Sequence, residues 1–353
     1  MRSNPRPALP GLREQDGFTL VELMISLVLG LLVIAAAGSL FLSNRRVYGS
    51  TEAINRIQEN QRTAYELLAR DLREAGSNPC MRFSSAVRPV VLLAAPNSPF
   101  WTNFSNGLVG TEGGTTDSVT VYLANSGNTR VTGHSKPSDP LTVSSTAGFV
   151  NGMTVMVCNT DYAIAFNATN VTSGGTTLGH SNSSGSGNCG SALTYSPDYT
   201  QCSSGSAGPG YCFAVPGVPP GTPTAGNVSD CPAGIGRSPA YVVRPFSAQW
   251  TVESNGRGGT SLYRTDPSGR NEVAEGVSSL QLTYKVGTSA AFQDAAAVTA
   301  ASQWGDVTAV RLVMTLNATT GALSSHDVQG TDNAVLTRVL EDVISLRNHV
   351  DVQ

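Results

Sequence analysis

The sequence predicts an α+β protein in which a long N-terminal α-helix, transmembrane in its first half, packs on an antiparallel β-sheet domain. An apolar run extends from Phe18 to Leu42, and a helical repeat then continues to Ala75 without a proline. From Ser77 onward the pattern changes to short stretches in which apolar and polar residues alternate, as they do in half-buried strands. Six cysteines in this second part lead us to expect loops that are stapled by disulfides.

The apolar run Phe18–Leu42 is about 37 Å long as a helix, enough to cross a hydrocarbon core of about 30 Å with some tilt. Its only charged residue is Glu22. A carboxylate inside such a helix costs a few kcal/mol to insert into a membrane, so Glu22 is a candidate functional residue. Two other interpretations stay open. Glu22 could be a surface residue of an ordinary anchor, and a secretory signal could be cut within Ala35–Ser39.

The orientation of this anchor does not follow from its flanking charges. Three arginines, Arg2, Arg6 and Arg13, precede the apolar run, and two, Arg45 and Arg46, follow it. The positive charge on the two sides therefore differs too little to decide the orientation. The cysteines and the size of the C-terminal portion favour a C-terminal domain outside the cytoplasm, in an oxidising compartment such as a bacterial periplasm.

Residues 43–76 continue the helix as an amphipathic segment. One stripe of mostly apolar residues recurs every three or four positions, and it consists of Val47, Ile54, Ile57, Gln61, Ala64, Leu68, Leu72 and Ala75. Gly76 and Pro79 then predict the end of the helix. The stripe is expected to pack mainly on the chain's own globular domain, whereas helix–helix packing in an assembly suits the apolar half.

Residues 77–353 form the β-rich globular portion. Strands are predicted at 119–123, 154–158, 241–243, 261–263, 280–286 and 310–316. The stretches 173–190 and 202–236 are rich in Gly, Ser or Pro and are expected to be loops. The final segment, 335–344, has helical spacing, so a closing strand and a terminal helical turn both stay open.

The cysteines are candidates for disulfides. They are Cys80, Cys158, Cys189, Cys202, Cys212 and Cys231. Their spacing does not choose among the possible pairings. A zinc site is the alternative, but no C-x-x-C pair is present and only His180 lies near, so no metal is expected.

The chain carries no motif of an enzyme or of a nucleic-acid-binding protein. Charged residues make up 13% of the sequence and its formal net charge is −3, so no basic surface is indicated. No cofactor motif is present, and His134, His180, His326 and His349 lie in separate polar stretches. We therefore expect neither catalysis nor a cofactor, and no aromatic cluster identifies a ligand.

Residues 17–24, Gly-Phe-Thr-Leu-Val-Glu-Leu-Met, resemble the prepilin signal of the type IV pilin superfamily. The resemblance implies that residues 1–17 are a leader, that a prepilin peptidase cuts between Gly17 and Phe18, and that Phe18 becomes N-methylated. Residues 18–42 would stay on the mature protein as its transmembrane and assembly segment. Glu22 would neutralise the amino group of Phe18, either its own or that of a neighbouring subunit. The implied fold is type IV pilin-like.

Two further regions are similar to the PilW-type minor pilins. The first is the helix, with segments 56–60 and 67–76. The second is the C-terminal portion, with the stretch Glu275–Tyr284, Trp304, the predicted strand Val307–Leu316 and the ending Leu346–Asn348. Residues about 96–236 look like an inserted elaboration of that family. The resemblance implies a minor pilin that joins other minor pilins in an inner-membrane priming complex and ends at the pilus tip.

The implied partners are the prepilin peptidase, other minor pilins, the major pilin, the inner-membrane assembly platform and, before assembly, membrane lipid. Nucleic acid is not among them. The implied location is a single-pass position in the bacterial inner membrane, followed by the pilus. A J-type pseudopilin of a type II secretion system is the alternative, and a tip adhesin whose binding module is the 96–236 region is the second alternative.

Overall fold

A long helix carries a globular domain whose described residues form three β-sheets. The computed structural model describes residues 17, 19–81, 89–93, 98–125, 129–160, 162–193, 211–213, 239–319, 328–330 and 332–348. Within them the chain is α+β, with the helix first and predominantly antiparallel sheets after it. This confirms the predicted fold class.

The elements are numbered along the chain, with separate numbers for helices and strands. Their bounds are α1 Leu20–Arg73, β1 Val90–Val91, α2 Pro99–Phe104, β2 Leu108–Thr111, β3 Ser118–Asn125, β4 Val131–Gly133, β5 Leu141–Val143, β6 Thr154–Cys158, β7 Ala163–Asn167, β8 Thr177–Leu178, β9 Tyr241–Ser254, β10 Thr260–Asp266, β11 Gly269–Glu275, β12 Val277–Val286, β13 Phe292–Gln293, α3 Ala295–Ala300, β14 Val307–Asn317 and β15 Thr337–Ser345. A single 3-10 turn, Trp304–Asp306, precedes β14.

The long strand β9 organises the largest sheet, whose main order is β1-β7-β6-β9-β10-β11. Its first residues pair with β6, its middle pairs with β3 from residue 244 to 250, and its last part pairs with β10. The strand β2 extends the sheet beyond β3. A second sheet has the order β13-β12-β14-β15, and a small third one has the order β4-β5-β8.

Each predicted strand falls within a strand of the structure. The closing segment is also a strand, since β15 pairs with β14 in antiparallel register from Thr337 to Ser345. Its helical spacing misleads because Val339 and Val343 lie on the exposed face, 59% and 49% exposed, while Ile344 is buried. The expected loop 173–190 includes the two-residue strand β8. Of the expected loop 202–236, only residues 211–213 lie within the described residues.

The helix α1 ends at Arg73, two residues before the predicted end at Ala75. The N–H of Gly76 donates a hydrogen bond to the carbonyl of Tyr122 on β3 at 2.9 Å, so a contact with the sheet replaces the next helical bond. Gly76 has a φ of 69°, the left-handed conformation in which glycine lacks the usual steric penalty.

Most of the predicted stripe on α1 packs on the domain. The buried members are Ile57, Ala64, Leu68, Leu72 and Ala75. In contrast, Val47 and Ile54 are 62% and 38% exposed, so the stripe packs on the domain over most of its length, as expected, but not at its start. Burial on α1 begins at Gly49 and Ala53, and the main hydrophobic cluster begins at Ile57.

The described part of the globular domain contains three clusters of buried apolar side chains. The main cluster lies between α1 and the strands and includes Trp250, Leu262 and Tyr284. It also takes in Leu108 and Val121 of β2 and β3, so the start of the 96–236 region belongs to the main core. The next part of that region has a core of its own, which includes Leu141, Phe166 and Leu178. The third cluster surrounds Trp101 and Phe104 of α2.

A buried carboxylate joins α1 to the largest sheet. Asp71 is 3% exposed, and its Oδ2 accepts a hydrogen bond from Nε1 of Trp250 at 3.1 Å. The same oxygen accepts from Nε of Arg264 at 2.7 Å, and Arg264 also pairs with Asp266. Trp250 lies on β9 and Arg264 on β10, so one carboxylate of the helix holds two neighbouring strands.

We expect Asp71→Ala to lower the free energy of unfolding by about 3 kcal/mol, because Arg264 and the indole of Trp250 lose their buried acceptor. Urea unfolding of the detergent-solubilised chain measures this loss. The matched control is Glu66→Ala, which breaks an exposed pair with Arg62 at 2.7 Å and should change stability little. Equal losses in the two variants would contradict the role of Asp71.

Candidate functional site

The first turn of α1 contains the candidate residues of the N-terminal motif. Gly17 and Thr19 are exposed, while Phe18 lies outside the described residues. Thr19 is the N-cap of α1, and its hydroxyl accepts a hydrogen bond from the N–H of Glu22 at 3.3 Å. A threonine followed three residues later by a glutamate is the pattern of a capping box. This pattern is readable in the sequence, although Thr19 was not among the predicted residues.

The side chain of Glu22 is exposed, and within the described residues its carboxylate makes no hydrogen bond or ion pair. Apolar side chains surround it on the helix, with Leu20 76% and Met24 60% exposed. A carboxylate in the first turn also interacts favourably with the helix dipole. The geometry thus presents one negative charge on an uncovered apolar helix surface.

The first half of α1 packs against nothing else in the described part of the chain. By its length and composition α1 can cross a membrane, and none of its most apolar window is buried. Exposed apolar side chains continue through Leu42 to Val47 and Tyr48. The second half of the same helix is fixed to the sheets by the main core, so the two halves differ sharply in environment.

The six cysteine candidates have different outcomes. Cys80, just after α1, and Cys158, at the end of β6, form a disulfide. Cys189 and Cys212 are also disulfide-bonded. Cys202 and Cys231 lie outside the described residues. The pair that joins residues 80 and 158 could not be read from the spacing, because 78 positions separate its members.

The structure brings together two of the four histidines. The rings of His134 and His180 are 6.0 Å apart, centroid to centroid, and nearly perpendicular. Both are buried; desolvation and the neighbouring His180 lower the pKa of His134 to about 3, and burial also lowers the pKa of His180. Groups that stay neutral near pH 7 are poorly suited to acid–base catalysis. His326 and His349 lie outside the described residues.

The described residues hold no cluster of three or more His, Cys, Asp or Glu side chains that could bind a metal ion. They do hold an aromatic cluster that the sequence analysis did not identify. Phe100, Trp101 and Phe104 of α2 pack with ring centroids within 4.9 to 5.6 Å of each other. The sequence signal was present, since these three aromatic residues fall within five positions.

Comparison with known families identifies the N-terminal segment. Residues 12–38 match the family model described as the prokaryotic N-terminal methylation motif. The match includes Gly17, Glu22 and the first part of α1. It supports a pilin-like protein, that is, a type IV pilin or pseudopilin, and implies processing by a prepilin peptidase and assembly with other pilins. Proteins with this motif are structural. No curated protein and no solved structure matches the chain.

We expect the variant Cys80→Ala/Cys158→Ala to unfold more easily by about 4 kcal/mol, because the bond closes a long loop in the unfolded chain. The midpoint of urea unfolding under oxidising conditions measures this effect. A reductant added to the variant then reports separately on the disulfides of Cys189 and Cys212. An unchanged midpoint in the variant would show that the 80–158 bond does not stabilise the fold.

Proposed function

We propose that this chain is a PilW-type minor pilin of a type IV pilus, which joins other minor pilins in an inner-membrane complex that primes pilus assembly. The observation that carries the proposal is the uncovered apolar half of α1, with Glu22 as its only charge as far as Leu42. Such a surface is unfavourable in water, so lipid covers it before assembly and the helices of other pilins cover it afterwards. The methylation motif at residues 12–38 supports this class of partner.

In this proposal the prepilin peptidase removes residues 1–17 by cutting between Gly17 and Phe18. The new amino group of Phe18 is positively charged and becomes methylated. In a bundle of apolar helices, Glu22 then pairs with this group, either in its own chain or in a neighbouring subunit. Pairing offsets part of the desolvation cost of both charges, and it also sets the axial position of one helix against the next.

The disulfide between Cys80 and Cys158 supports a periplasmic position of the globular domain before assembly, because such bonds persist in oxidising compartments. Residues 18–42 then cross the inner membrane once, and residues 43–76 lead into the domain 77–353. After assembly, the domain sits at the tip of the pilus. The inner-membrane assembly platform and the major pilin are the remaining partners of this proposal.

A J-type pseudopilin of a type II secretion system is the second candidate, because the methylation motif is shared by pilins and pseudopilins. The loop elaboration between residues 96 and 236 favours the pilus protein. The two candidates differ in their partners. Copurification with the major pilin supports the pilus, and copurification with secretion pseudopilins alone supports the second candidate.

Mass spectrometry of the mature N-terminus tests the processing step. We expect the chain to begin with N-methylated Phe18, and we expect Gly17→Glu to retain the leader because the peptidase no longer accepts the cut site. Gly11→Glu is the matched control in the leader and should be processed normally. A mature terminus near Ser39, or normal processing of Gly17→Glu, would contradict the assignment.

Replacing the carboxylate tests the assembly step. Glu22→Val should leave processing intact but reduce copurification with other pilins by about tenfold, since the amino group of Phe18 loses a partner worth ~1.4 kcal/mol in an apolar bundle. Glu52→Val is the control, because Glu52 forms an exposed pair with Arg56 on the same helix at 2.9 Å. Normal copurification of Glu22→Val would refute the pairing role.

A further inference from the structure

A cavity of about 500 Å³ lies between α2 and the strands β6, β7 and β9. This volume falls within the range of about 300–1,000 Å³ that is typical of small-ligand sites. Among the residues that the structure describes, eight line the cavity and none of them is charged. Neither the N-terminal motif nor the proposed assembly function uses this part of the domain.

One wall of the cavity is aromatic. Phe100 and Trp101 line it, with their ring centroids 4.9 Å apart in an edge-to-face arrangement. Phe100 also packs at 5.6 Å against both Phe104 and Tyr122. The neighbouring rings fix Phe100, which is itself only half-buried, so the cavity has a stiff apolar face.

The facing wall carries polar groups that are held in place by their neighbours. The hydroxyl of Thr154 donates to Oδ1 of Asn167 at 2.8 Å, and Nδ2 of Asn167 donates to the carbonyl of Ser186 at 3.0 Å. One amide hydrogen and further lone pairs of these two side chains remain for a ligand. Gly187 keeps this arrangement open, because a Cβ there would lie 2.7 Å from Nδ2 of Asn167.

Ser98 adds a third polar group to the lining. It is the N-cap residue of α2, yet its side chain makes no capping hydrogen bond. Within the described residues its hydroxyl makes no other hydrogen bond either. The described part of the site therefore offers an aromatic face, two side chains that can both donate and accept (Ser98 and Asn167), a hydroxyl of Thr154 that can accept, and no charged side chain.

We infer that this cavity binds a neutral saccharide. A sugar ring presents an apolar face of C–H groups to an aromatic wall, and its hydroxyls both donate and accept hydrogen bonds. A charged ligand would lose hydration without gaining a counter-charge here. A purely apolar ligand would leave Thr154 and Asn167 without their water and without a new partner. The inference does not rest on the proposed assembly function, because it concerns only the globular domain.

The full-length chain tests this inference when it is solubilised in a detergent without a sugar head group. The probes are immobilised neutral glycans of animal cells, neutral bacterial polysaccharides, and sialylated or sulfated counterparts of the former. We expect binding to neutral saccharides. Binding to the first panel would indicate a saccharide from a host cell, and binding to the second would indicate a bacterial saccharide. Either result supports the inference.

Two variants connect the binding to the cavity. Phe100→Ala should weaken binding by about tenfold because it removes the exposed part of the aromatic wall. The matched control Phe292→Ala changes a half-buried phenylalanine on β13 and should bind normally. Ser98→Ala should weaken binding by about threefold to tenfold and leave the melting temperature unchanged, since its hydroxyl holds nothing in the described structure.

The inference is overturned if no saccharide binds at millimolar concentration, or if only the charged glycans bind. It is equally overturned if saccharides bind but Phe100→Ala and Ser98→Ala, both folded, bind as well as the unmodified chain. Binding of apolar peptides in place of saccharides, tested with an immobilised peptide panel, would also reject it. Ser98→Ala keeps the test decisive if Phe100→Ala does not fold.

Discussion

The buried carboxylate of Asp71 connects the two parts of this molecule. A carboxylate at 3% exposure is tolerable only when charged or polar donors replace its water, and Trp250 and Arg264 do so from adjacent strands. Because the contact involves both β9 and β10, it fixes the helix against the largest sheet. Apolar residues of α1 then fill the space on either side, from Ile57 to Ala75. The position of the domain on the helix follows from this arrangement.

That attachment also explains why the first half of α1 does not contact the described part of the globular domain. The core ends near Ile57, so nothing in the described domain reaches the apolar surface between Leu20 and Leu42. A surface of this length and composition needs a low-dielectric partner, and both lipid and the helices of like subunits supply one. The single charge at Glu22 is costly in either environment unless it is paired. The free half is therefore suited to assembly, and the packed half is suited to carrying a domain.

The sequence predicted the long helix and six of the strands, since each of these depends on a local pattern. The short helices α2 and α3 and the remaining strands were not predicted, apart from β15, which had been left open between strand and helix. The apolar run is recognised by its length. The helical repeat and the alternation at 280–286 and 310–316 are recognised by their periods, which can be read from the sequence. The long-range partners could not be predicted. Asp71 stands among charged residues of an amphipathic helix, and nothing local shows that it is the buried one, because its partners lie 179 and 193 positions away. The same limit applies to the 80–158 disulfide and to the meeting of His134 with His180.

The strand β9 connects the helix attachment to the proposed saccharide site. Its last part carries Trp250, the partner of Asp71, while its start pairs with β6, whose residue Thr154 lines the cavity. Pro245, between these two ends, lines the cavity as well. A strand that is hydrogen-bonded to its neighbours along its length bends little, so the cavity keeps a defined orientation relative to α1. If the helix is held in an assembly by its apolar half, the cavity is presented in one fixed direction.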